Sequence, residues 1–159
     1  MIDEEALYNM AAEISDQGDF TSAFQLFMEG AERGYGPAMT RVAVMYFQGE
    51  GTVWDWDQSI AWDLKAIDQG EDTSLHNLAI TYRAKGEITK AKLFFEKSLA
   101  KGDFESALDL AKLYMVSEKE QDRVLSYLEL VLTADATYIT EYGVEEAQRL
   151  RADIMSSKN

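Results

Sequence analysis

Apolar and small residues recur along this chain at helical spacing, and in three stretches they recur in the same order. Counting from Gly34, Gly70 and Gly102, the fourth residue on is Ala38, Ser74 and Ser106, and the eighth is Val42, Leu78 and Leu110. Ala43, Ala79 and Ala111 follow directly, and Tyr46, Tyr82 and Tyr114 stand twelve residues on. Spacings of four, one and three place all of these on one stripe of an α-helix. Small residues there let a neighbouring helix approach closely, while the larger ones fill the space beside it. The starts are 36 and 32 residues apart, the period of stacked helical hairpins that cannot bury their apolar faces alone.

Each stretch is preceded by a second helical pattern. Eight residues before the three glycines stand Leu26, Trp62 and Phe94, with Gly30, Ala66 and Ser98 four residues later. Gly34, Gly70 and Gly102 then act as left-handed caps that end these helices. Gly18-Asp19-Phe20-Thr21-Ser22-Ala23 and Gly86-Glu87-Ile88-Thr89-Lys90-Ala91 open two of them alike, 68 residues apart. Helices are predicted over 3–17, 20–33, 37–48, 57–69, 73–85, 88–101, 104–116, 120–133 and 143–156. Pro37 stands at a helix start, Asp72 and Asp103 are expected N-caps, and Gly49-Glu50-Gly51-Thr52 is the one clear glycine-rich loop. Lacking the lysine and hydroxyl of a P-loop, and following no strand, that loop turns the chain inside a hairpin.

Tyr46, Gly49, Gly51, Val53, Asp57, Trp62, Ala66 and Gly70 together resemble the Sel-one-like repeat, whose pattern is Y-x2-G-x-G-V, an Asp, then W-x3-A and a closing Gly. Those repeats are relatives of the tetratricopeptide repeat. The match is fullest over 34–70, and through Tyr114 it covers roughly two thirds of the chain. Val53 sits one residue late, Ser59 stands where alanine is usual, and Gly86 alone replaces the double-glycine loop, a form closer to the tetratricopeptide repeat. The resemblance implies an all-α solenoid of stacked antiparallel hairpins with a right-handed superhelix. One domain over 1–159 is expected, with units near 3–33, 34–69, 70–101 and 102–134 and a C-terminal capping helix in 135–159.

Composition narrows the setting. The chain of 159 residues has no cysteine, whereas some secreted members of the family clamp hairpins with disulfides, so a reducing cytoplasm is expected. The acidic start and the lack of a long apolar run argue against a signal peptide or membrane helix. The net charge of −14 is uneven: residues 1–72 hold 15 acidic and three basic side chains. That field disfavours nucleic acid and anionic lipid and speeds encounter with a basic protein, although it also serves solubility. No cofactor or metal is expected. The lack of cysteine excludes a cysteine nucleophile, a catalytic triad would have to use His76, the only histidine, and no second ligand stands at metal-site spacing from it.

If the helices stack as in the related repeats, offsets three, six, ten, thirteen and fourteen from each repeat glycine line an inner groove. They contribute Thr40, Val44, Phe47 and Gln48, then His76, Ile80 and Arg83, then Leu108, Lys112 and Met115, with Tyr8 from the first helix. Large apolar members would hold a peptide or helix of a partner, unless the C-terminal segment folds back over them. Trp54 and Trp56 bracket Asp55 near Glu50, Asp57 and Asp63, so one tryptophan is expected to pack beneath the hairpin while the other stays accessible, with Trp54 as candidate anchor for a basic partner and a staple of the helix start as the alternative role. The expected function is a non-enzymatic interaction module that binds a basic protein, in its concrete form an immunity protein covering a cationic toxin. The alternative is a hydrolase using Asp55, Asp57 and Asp63, which would require a cleft that raises one pKa.

Overall fold

The computed structural model describes residues 2–115 and 120–157. Among the described residues it has nine α-helices: α1 (Glu4–Asp16), α2 (Phe20–Glu32), α3 (Gly36–Gln48), α4 (Trp56–Asp68), α5 (Thr73–Ala84), α6 (Ile88–Ala100), α7 (Glu105–Tyr114), α8 (Gln121–Thr133) and α9 (Glu141–Ser157). The fold is the all-α helical repeat that the register implies. Predicted boundaries hold to within two residues; Val116, the expected last residue of the seventh helix, lies outside the described residues.

Aspartates start several helices by giving unpaired backbone N–H groups an acceptor. Asp3 accepts from the Ala6 amide at 2.7 Å, Asp19 from Ser22 at 3.1 Å, and Asp55 from Asp57 and Gln58 at 2.9 and 3.0 Å. Asp72 precedes α5 without making a side-chain cap bond. Asp103 stands one residue before the N-cap of α7, which is Phe104, and accepts from the Glu105 amide and from the hydroxyls of Ser98 and Ser106, at 2.8 and 2.7 Å, tying the end of α6 to the start of α7. Gly34, Gly70 and Gly102 all have φ above +90°, as the expected left-handed caps require.

The chain divides into two compact units, residues 1–87 and 88–159. In the first, consecutive helices from α1 to α5 pack on one another and α3 also touches α5; in the second, α6 to α9 pack in sequence and α7 also touches α9. The repeated stripe is the core of both. Ala38, Ser74, Ser106, Val42, Leu78, Leu110, Ala43, Ala79 and Ala111 are all fully buried. Tyr82 and Tyr114 are buried too, but Tyr46 is half-buried, held edge-on to Phe24 at 5.3 Å. The small residues bring backbones together as expected, since a Cβ added to Gly30 would lie 3.3 Å from that of Ala38.

The glycine-rich loop shows why it needs glycine. A Cβ on Gly51, where φ is +69°, would lie 2.0 Å from the carbonyl oxygen of Phe20, so the loop after α3 lies directly against the start of α2. At Gly34 φ is +95° but nothing stands within 4 Å. Gly34→Ala should therefore lose about 1 kcal/mol of stability, from the left-handed backbone alone. Gly51→Ala should lose about 3 kcal/mol, because displacement of packed backbone is added. Urea unfolding of the two variants measures the difference, and equal losses would contradict the contact with α2.

Candidate functional site

On α4, Ser59, Trp62, Asp63 and Ala66 have the spacing of one buried helix stripe, and all four are buried. Trp62 and Ala66 join the apolar core of the first unit. Ser59 and Asp63 instead floor a cleft of about 150 Å³ lined from α3 by Val44, Phe47 and Gln48 and from α5 by Asn77, Ile80 and Thr81. Four residues expected on the inner groove, Val44, Phe47, Gln48 and Ile80, thus meet at one place.

Asp63 is 0 % exposed, and neither carboxylate oxygen has a hydrogen-bond partner among the described residues. The hydroxyls nearby are engaged elsewhere: Thr40 Oγ1 and Ser74 Oγ are 2.9 Å apart, Ser59 Oγ and Thr81 Oγ1 are 3.4 Å apart, and Thr81 donates to the Asn77 carbonyl at 3.1 Å. Loss of hydration disfavours the charged form, so burial pushes the Asp63 carboxyl up to about 8. No other titratable side chain lines the cleft. On the packed helices, Arg41 of α3 lies over the Phe27 ring at 5.4 Å and Lys65 of α4 over Trp62 at 3.8 Å. Asp57 pairs with Lys85, while His76 and Arg83 are half-buried on α5.

The remaining groove candidates have other places. Thr40 is occupied with Ser74, and Tyr8 packs edge-on to Phe27 and Tyr35 at 5.2 and 5.8 Å. In the second unit Leu108 is 3 % exposed and belongs to the core, so it lines no surface. Lys112 pairs with Glu146 of α9 at 2.9 Å, holding that carboxyl below the ordinary range, and Met115 is exposed. Glu105 fixes the start of α9 by accepting from the Thr140 amide and hydroxyl, at 2.9 and 2.6 Å. The C-terminal helix therefore packs on α7 within the second unit.

Trp54 is 56 % exposed and meets Trp56 edge-on at 4.3 Å, while the indole nitrogen of Trp56 is buried. Trp54 is thus accessible and Trp56 is half-buried. The carboxylates invoked for hydrolysis have unlike environments: Asp55 caps α4, Asp57 pairs with Lys85, and Asp63 is in the cleft. Among the described residues no group of three or more histidine, cysteine or carboxylate side chains could hold a metal ion. No helix among them is long and apolar enough to cross a membrane.

A family model described as tetratricopeptide repeat matches residues 73–102, the stretch of α5 and α6. No curated protein matches the sequence. A Sel1 repeat protein from Oxalobacter formigenes has a similar structure, with a TM-score of 0.70 at 18% identity, over 86% of this chain and 60% of that one. The protein c5321, a protective antigen of uropathogenic Escherichia coli displaying an SLR fold, gives 0.72 at 18% identity, over 99% and 39%. The immunity protein Pa5087 from Pseudomonas aeruginosa gives 0.58 at 23% identity, over 80% and 52%. The chain therefore spans between two fifths and three fifths of the length of these structures, and at such identities they establish its fold.

Proposed function

We propose that this protein, which has the Sel1-like, tetratricopeptide-like repeat fold, is a non-enzymatic module that binds a basic protein through the cleft between α3 and α5. The observation that carries this reading is the convergence of Val44, Phe47 and Ile80, large and only half-buried, in a cleft on the strongly acidic unit. Residues 1–87 hold 16 acidic and five basic side chains, a balance of −11. Apolar side chains left accessible in a concavity suit the insertion of partner side chains, and the surrounding field selects a cationic partner and speeds its approach. His76 and Arg83, half-buried on α5, are proposed as further contacts, and the exposed Trp54 as a separate anchor.

The concrete form of this proposal is an immunity protein that covers the basic face of a toxin in the cytoplasm. Supporting it are the charge, the absence of cysteine and the structural likeness to Pa5087. The separate environments of Asp55, Asp57 and Asp63 weigh against hydrolysis by paired carboxylates. Affinity capture from the native host, with wild type and Phe47→Ala in parallel, tests the proposal. A basic protein recovered in one-to-one ratio by the wild type and lost with the variant is expected. A partner that is acidic, or one retained equally by the variant, would overturn it.

A further inference from the structure

We infer that the cleft between α3 and α5 receives the side-chain ammonium of a lysine on the partner, with Asp63 as its counter-ion. This rests on the protein-binding reading above and specifies the chemistry recognised. A lysine has an apolar stem and a compact head with three donors and no acceptor. The walls formed by Val44, Phe47 and Ile80 match the stem, and the floor formed by Asp63, Ser59 and Thr81 matches the head. With its proton on the Asn77 carbonyl, Thr81 accepts from Ser59 and keeps one lone pair, while Ser59 keeps both of its own. Two hydroxyl acceptors and one carboxylate then meet three ammonium donors.

A guanidinium fits less well. Its five donors in a planar fork call for bidentate pairing and further acceptors, whereas the floor holds a single carboxylate between helices. Buried without a partner, Asp63 is unfavourable as a carboxylate, and a cation in contact removes that penalty. Because burial keeps the carboxyl protonated near neutrality, entry of the ammonium displaces the Asp63 proton to solvent and leaves a carboxylate–ammonium pair. Recognition of lysine is thereby coupled to proton release.

The probe is n-butylammonium chloride, followed by amide chemical shifts of Ser59, Asp63, Asn77 and Thr81, with sodium chloride at equal ionic strength and neutral n-pentanol as controls. Saturable shifts are expected with butylammonium alone. Binding should be about 25-fold tighter at pH 8.5 than at pH 6.5, since the competent carboxylate form is scarce below a pKa of about 8. Asp63→Asn, which keeps the side-chain volume, should abolish the response. Acetyl-Gly-Lys-Gly-amide should bind more tightly than its arginine counterpart. Equal response to pentanol or sodium, survival in Asp63→Asn, or equal binding of the arginine peptide would overturn the inference. If butylammonium leaves the cleft unperturbed while a captured protein is still lost on Phe47→Ala, the lysine assignment fails and protein binding stands; if it saturates the cleft while captured protein is indifferent to Phe47→Ala, the protein-binding reading fails instead.

Discussion

Asp63→Asn is expected to stabilise the protein, with an advantage over the wild type that grows by about 3 kcal/mol between pH 5.5 and pH 8.5. The folded chain holds the Asp63 proton up to about pH 8, whereas an unfolded aspartate loses it near pH 4. Between those values the folded state binds more protons than the unfolded one, so stability falls as pH rises, by at most about 1.4 kcal/mol per unit, and levels off above the folded pKa. Asparagine has nothing to ionise and escapes this loss. Every other ionisable group is common to the two proteins and drops out of the difference. Urea unfolding of wild type and variant at pH 5.5, 7 and 8.5 provides the measurement. Parallel stability curves would mean that the carboxyl ionises freely in the fold.

Phe47→Ala should raise the dissociation rate of the captured partner about thirtyfold, the equivalent of roughly 2 kcal/mol for an aromatic side chain central to an interface. Truncation leaves the acidic field intact, so the association rate should change little. Charge reversal at Asp16 or Glu32, both exposed on the first unit, should have the opposite signature, slowing association with little effect on dissociation. Association of the wild type should slow as salt rises, because exposed charges more than about 8 to 10 Å apart are screened at physiological ionic strength. Stopped-flow binding at two salt concentrations separates these effects. An association rate indifferent to salt, with unchanged affinity in Phe47→Ala, would move the binding surface to the Trp54 loop or the outer face.

The helices, their caps and the hairpin register were legible because each depends on residues within a few positions of one another. Gly34, Gly70 and Gly102 end helices by their own backbone freedom, and the small residues of the stripe mark where another helix comes close. Part of the site was legible on the same ground: Val44, Phe47, Gln48 and Ile80 follow from the repeat offset once hairpins stack. Asp63 was visible as one of several acids but not as a buried one. Its signal was the spacing of Ser59, Trp62, Asp63 and Ala66, which places a carboxylate within a packing stripe.

What the sequence by itself determined is therefore local and periodic: an all-α repeat, its turns, its core face and the acidity of its first half. The tertiary structure decided how individual side chains on those faces are used. Leu108 became core, Lys112 gained Glu146 from a helix over thirty residues away, and Tyr46 stayed half-buried beside Phe24. Asp63 lost its water because α3 and α5 meet over α4. Periodicity shows which residues share a face, whereas burial and charge state depend on which distant helix covers that face, and spacing along one helix carries no record of this.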